Sequence, residues 1–271
     1  MEQKIPYITE GNQELVIILL DYSNSMYSMK VADEEYVPVN KYLAVQDAIE
    51  KLLEQIVSTN KKDHILVAIV PFAGKAKQLK IGEFDISYYP SKMWLANSNI
   101  KAAFNNLNED TSEIGRSTSF TEAFVEAKNV AEHFFTQSTI GKEFKHAVSI
   151  LFFSDGLDMS GTNFLDTVKS ILEELNDLVK ASITNSENQE NFSIASIAIG
   201  SDADEDTMIA ISTPFTERQS KHLDELKLNS PDVVAAIMDD RCYLKLEAED
   251  GNISTVELKI LRKFLFLVTE S

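Results

Sequence analysis

Cysteine is nearly missing from this chain: Cys242 is the only one in 271 residues, so no internal disulfide can form. That excludes the disulfide-stapled class and leads us to expect a reducing, cytoplasmic setting. Long apolar runs are missing too. No stretch reaches the roughly 18 residues that a spanning helix requires, and the opening MEQKIPYITEGNQ lacks the apolar centre of a secretory signal. Basic charge is scarce, with 25 Lys and Arg against 43 Asp and Glu, for a net charge of −18. Nucleic-acid binding depends on neutralising phosphates with basic side chains, and anionic lipid attracts the same groups. The composition therefore disfavours both nucleic acid and membrane as partners. An excess of acid keeps a protein soluble, and it suits basic partners or cations. No Gly-rich phosphate loop is present, and none of His64, His133, His146 and His222 has a carboxylate and a nucleophile at catalytic spacing.

What the chain does have is a core. Near-continuous runs rich in Ile and Val occupy 14–20, 64–72, 147–153 and 192–200, the pattern of strands buried on both faces. Helix-period segments alternate with them. The segment from Asn40, a candidate N-cap, to Ser58 places Leu43, Ala48, Ile49, Leu52, Leu53 and Ile56 on one face. The segments 119–135 and 163–182 repeat the pattern with Phe120, Phe124, Val130 and Phe134, and with Val168, Ile171, Leu172 and Leu175. Strands alternating with helices predict a doubly wound, mostly parallel α/β sheet with helices on both faces, Rossmann-like in layout. An antiparallel edge strand is expected after the turn Ala73-Gly74, followed by an irregular excursion over 76–115 with a short helix near 97–107. The main domain is expected to span 13–240. Residues 241–271 read as a C-terminal β-strand extension around Asp250-Gly251-Asn252, packed on that domain.

In such a sheet, ligands bind outside the carboxyl ends of the strands, so the polar residues there are the informative ones. The first apolar run stops at Asp21, and Ser23 and Ser25 follow at two-residue spacing in DYSNS. A later run ends ILFFSDG, with Asp155, and Thr118 stands two residues ahead of an apolar helical segment. Two carboxylates and three hydroxyls brought together make a cup of hard oxygen donors. Mg²⁺ takes octahedral oxygen coordination, usually with one or two carboxylates. Mn²⁺ is an alternative, and Ca²⁺ a less apt one because it takes more ligands.

Asp-x-Ser-x-Ser after an apolar strand, a distant Thr before a helix, and Ser-Asp-Gly after another strand resemble the metal-ion-dependent adhesion site of von Willebrand factor A domains. Asp21, Ser23, Ser25, Thr118 and Asp155 match it in order, and TSFTEAF and AIGSDADEDTMIAIS also look like that family, over roughly 13–240. The resemblance implies direct metal ligation by Ser23, Ser25 and Thr118, with Asp21 and Asp155 acting through water or one shell out. A partner's Asp or Glu would complete the coordination. The chain resembles the intracellular bacterial members, such as those associated with tellurite resistance, more than secreted adhesins. The function expected is a cytoplasmic, non-enzymatic interaction module binding a basic partner that exposes a carboxylate. Lys30 and Arg116 are candidates for admitting that carboxylate at the rim.

Two other classes remain in view. A metal-dependent hydrolase or phosphotransferase would polarise phosphate with the same ion, and a scaffold would keep the metal for structure alone. GRSTS superficially resembles a nucleophile elbow centred on Ser117, but no apolar strand precedes it. Aspartyl phosphotransferases carry a second Asp where this chain has Ser23. Trp94, with Tyr88, Tyr89, Met93 and Leu95, forms an aromatic group whose default role is core packing, and whose other reading is a partner surface.

Overall fold

The structure is a computed structural model that describes residues 13–27, 41–59, 64–82, 87–109, 114–115, 117–137, 146–159, 161, 163–181, 191–201, 203–229, 237–238, 240–249 and 252–269. In chain order its elements are β1 (Gln13–Asp21), the single turn α1 (Asn24–Tyr27), α2 (Lys41–Ser58), β2 (Ile65–Phe72), β3 (Tyr88–Pro90), α3 (Ser91–Leu95), α4 (Asn99–Glu109), α5 (Phe120–Gln137), β4 (His146–Ser154), α6 (Phe164–Ala181), β5 (Phe192–Ile199), α7 (Glu205–Ile211), α8 (Glu217–Asn229), β6 (Tyr243–Leu246), β7 (Ala248–Glu249), β8 (Asn252–Ile253) and α9 (Thr255–Thr269).

The six-stranded sheet runs β3-β2-β1-β4-β5-β6. All pairings are parallel except that of β3, whose Tyr88 and Pro90 lie antiparallel against Ala68 and Leu66 of β2. Every residue of β1 is buried, as a strand must be when helices cover both faces. Its side chains divide by the two-residue period of a strand. Val16, Ile18 and Leu20 join the cluster formed with α2, α4 and α9, while Leu15, Ile17 and Leu19 join the one formed with α5, α6 and α7. The doubly wound α/β architecture expected from the sequence is therefore present, antiparallel edge included.

Some local expectations need correction. Directly after Ala73-Gly74, the backbone N–H groups of Lys77 and Leu79 donate to the carbonyls of Pro71 and Ile69 at 3.0 and 2.9 Å. That segment lies along β2, but the regular edge strand is β3, further on. Leu43 is 47% exposed rather than on the buried face of α2, because Tyr42, Val45, Ala48, Ile49, Leu52, Leu53 and Ile56 already fill the apolar stripe. The Trp94 group, by contrast, takes its default role in the core: Trp94 is fully buried, and its indole N–H donates to the Val67 carbonyl at 2.8 Å. Asn40, Lys30, Arg116 and the turn Asp250-Gly251 lie outside the described residues.

The tail departs most from expectation. β6 pairs with β5 as the sixth strand of the main sheet, and β7 and β8 pair over two residues each. The apolar stretch KILRKFLFLV, read as strand, is part of helix α9. A short run apolar on nearly every residue fits either period, and here the helix wins because it has a start signal. Ser254 Oγ accepts from the Glu257 backbone N–H at 3.2 Å, and STVE carries the capping-box pattern. Leu258, Leu261, Leu265 and Val268 then face inward, with Phe264 fully buried. Truncating a core Phe to Ala costs about 3–5 kcal/mol. Phe264→Ala should lower unfolding stability by that amount in a urea titration. A chain ending at Asp240 loses a strand of the main sheet together with this helix, and should aggregate; a soluble truncation of unchanged stability would contradict the packing described.

Candidate metal centre

The strand order fixes where the site lies. From β1 the chain winds to β2 on one side, and from β4 it winds to β5 on the other, so β1 and β4 flank the topological switch point. A crevice opens there at the carboxyl ends of the strands. Asp21 is the last residue of β1, and Asp155 directly follows β4. Both are fully buried.

Past Asp21 the chain leaves the sheet. The Ser23 backbone N–H donates to Asp21 Oδ1 at 2.9 Å, an Asx-turn, and the single turn α1 follows. This bend, rather than a strand's alternation, is what groups residues two apart. The Ser154 hydroxyl donates to Asp21 Oδ2 at 2.6 Å. Ser25 Oγ donates to Asp155 Oδ1 at 2.7 Å and lies 3.0 Å from Ser23 Oγ. A hydroxyl carries one proton. With Ser25's proton on Asp155, the Ser23 hydroxyl is the donor to Ser25.

Thr118 reaches the same place from the loop before α5. Its carbonyl accepts from the Met159 N–H at 2.8 Å, and the Ser119 N–H donates to the Ala73 carbonyl at 2.8 Å, so that loop is held between the ends of β2 and β4. A Cβ built on Gly156 would lie 3.4 Å from Thr118 Oγ1 and 3.7 Å from Ser25 Oγ. The two hydroxyls thus flank Gly156, and the glycine leaves the space between them open. All five residues expected from the sequence meet in one cup, with Ser25 at its exposed lip. Ser117 lies outside it, exposed, with its Oγ 2.8 Å from where a Cβ on Gly74 would stand. His64 sits at the opposite end of β2, His133 lies against Tyr88 and His222 is on α8.

Two participants were not anticipated. Ser154 is one; the other is Lys41, whose Nζ lies 2.6 Å from Asp155 Oδ2 with its side chain only 10% exposed. A cation in the first turn of a helix opposes the helix dipole, so a lysine opening the apolar segment KYLAV was the sequence signal available for it.

The donor set suits a hard divalent cation. Among the described residues no group of three or more His, Cys, Asp and Glu side chains is placed to hold a metal ion; in this cup two carboxylates stand among hydroxyl oxygens. Asp21 is held by neutral donors. Burial pushes its carboxyl up to about 6, with the neighbouring Asp155 charge adding to the rise and the Ser154 and Ser23 hydrogen bonds opposing it. A buried carboxylate in that state gains from a nearby cation.

No family model matches the sequence, and no curated protein matches it. Solved structures do match. A von Willebrand factor type A protein from Catenulispora acidiphila superposes with a TM-score of 0.54 at 12% identity, covering 94% of this chain and 42% of the other. The fold is that of a von Willebrand factor A domain. Proximal thread matrix protein 1 from the mussel byssus gives a TM-score of 0.52 at 15% identity, over 94% of this chain and 47% of that one. The same mussel protein described with a zinc-occupied MIDAS motif aligns at a TM-score of 0.49 and 16% identity, over 95% and 47%; that ion belongs to the mussel protein alone. This chain spans less than half the length of each of these structures. At such identities the likeness fixes the fold, and the chemistry of the cup rests on its own residues.

The raised Asp21 carboxyl has a pH signature. Its folded value lies above its unfolded one, so the stability it contributes is complete below about pH 4 and is lost as pH rises through about 6. Asp21→Asn should therefore stabilise the ion-free protein at pH 7 by about 2–3 kcal/mol, because each tenfold change in proton affinity is worth about 1.36 kcal/mol. The advantage should vanish towards pH 4. Denaturant titrations of both proteins across that range check it, and a constant difference would contradict the assignment.

Proposed function

We propose that this chain is a protein-interaction module that holds a divalent cation, Mg²⁺ or Mn²⁺, in its cup and engages a partner's Asp or Glu carboxylate through it. The observation that carries this reading is the convergence of Ser23, Ser25, Thr118, Asp21 and Asp155 at the β1/β4 switch point. Ser23, Ser25 and Thr118 would hold the ion, which supplies a Lewis-acidic pole for an incoming carboxylate. Asp21 orients Ser23 through its backbone N–H, and Asp155 draws the Ser25 proton away from the mouth, which directs that oxygen's lone pairs outward.

The partner is basic overall and presents one exposed carboxylate. A net charge of −18 repels acidic proteins at long range. The screening length is about 8 Å at physiological salt, whereas an ion in the cup acts at contact. The module works without turnover of its own, in a reducing cytoplasm that suits its single, buried Cys242, as the intracellular bacterial members of the fold family would. No helix among the described residues is long and apolar enough to cross a membrane.

Mg²⁺ or Mn²⁺ at saturation should raise unfolding stability by about 1–3 kcal/mol through linkage, and Ser25→Ala should remove the gain while the domain stays folded. Partners captured from the native cell should be lost with EDTA or Ser25→Ala, whereas rising salt should mainly slow their association. Calorimetry that detects no divalent-ion binding would sink the reading. Phosphomonoester turnover that disappears in Ser25→Ala would replace it with a hydrolase.

A further inference from the structure

Lys41 is the first residue of α2, and its side chain leaves the helix to end inside the cup. It passes the end of β5 beside Gly200. A Cβ built there would lie 3.4 Å from Lys41 Nζ, 3.6 Å from its Cε and 3.5 Å from the Ala248 Cβ. Gly200 has a φ of +85°, a conformation that favours glycine, so the backbone leaves a passage that the lysine fills. Such a placement is unfavourable on two counts: it desolvates an ammonium and sets it at the positive end of a helix dipole. Asp155 is what offsets both.

Both oxygens of Asp155 are already engaged, Oδ1 by the Ser25 hydroxyl and Oδ2 by Lys41. An ion on Ser25 would be separated from the ammonium by that one carboxylate. Like charges repel strongly where water is excluded.

We propose that the Lys41 ammonium is a tethered cation that competes with the divalent ion for Asp155, so that full occupancy of the cup requires Lys41 to withdraw. This rests on the cup being a cation site, as proposed above. Lys41 balances the buried Asp155 charge in the ion-free state and keeps the cup's affinity low. It thereby sets a threshold of ion concentration below which the module stays closed to its partner. Occupancy of the cup is in this way coupled to the first turn of α2.

Calorimetric titration of wild type and Lys41→Met with Mg²⁺ and Mn²⁺ tests this, together with acetylation of Lys41 by acetic anhydride. Acetylation is read by mass spectrometry against exposed Lys180. Competition predicts at least tenfold tighter binding in Lys41→Met, and severalfold faster labelling of wild-type Lys41 once the ion saturates. Binding to Lys41→Met alone would show complete competition and would support the proposal, while removing the claim that the wild-type cup is loaded. Equal affinities, with Lys41 still protected in the ion-bound protein, would overturn the proposal and leave Lys41 a structural tie. Heat from neither protein would overturn the cation site, and the competition with it. Should Lys41→Met fail to fold, wild-type labelling decides: acceleration by the ion supports the proposal, and heat of binding without acceleration overturns it.

Discussion

Two carboxylates buried at the ends of adjacent parallel strands repel each other, and the surrounding structure is arranged around that repulsion. Asp21 and Asp155 are drawn close because β1 and β4 are neighbours at the switch point, and neither side chain reaches bulk water. Each is treated differently. Asp21 receives neutral donors from Ser23 and Ser154 and keeps a carboxyl that ionises reluctantly. Asp155 receives a hydroxyl and an ammonium. Two acids of the same kind, side by side, are thus given different partners: neutral donors for Asp21, and a hydroxyl with an ammonium for Asp155.

The response to that repulsion reaches well beyond the cup. Lys41 belongs to α2, and α2 packs against α3 and α9 on one face of the sheet. Asp47 of α2 forms an ion pair with Arg262 of α9, and Gln219 of α8 donates to the Val268 carbonyl at 2.9 Å. The helix that supplies the internal cation is therefore held by the last helix of the chain. This gives the C-terminal segment a part in placing the site, although its residues come nowhere near Asp155 in sequence.

The sheet was legible because burial on both faces writes an uninterrupted apolar code: ELVIILL and ILVAIVPF admit little else at that length. The five cup residues were legible because the fold puts strand ends and loop starts at predictable points, so that Asp21 and Asp155, each at the end of an apolar run, fall at one crevice. Lys41 was not. Its contact with Asp155 spans 114 positions in sequence, and nothing local distinguishes it from a lysine that simply opens a helix, apart from the wrong sign for the dipole. The α9 helix was missed for the opposite reason. Its signal, STVE ahead of an apolar run, is local and present, but an apolar residue at nearly every position masks the period that separates strand from helix. Leu43 shows that a hydrophobic residue beside a stripe need not belong to it.

The ends of the sheet bear on solubility. Its central strands are the kind of segment that stacks into fibrils when an edge is left open. Here the outermost strands are three and four residues long. Pro90 in β3 has no N–H to offer an incoming strand, and Lys245 in β6 is paired with Glu205 at 2.6 Å. Short edges that carry proline or charge discourage strand addition. A second chain approaching sideways meets little ladder to extend, so edge-to-edge strand addition is discouraged on both rims of the sheet.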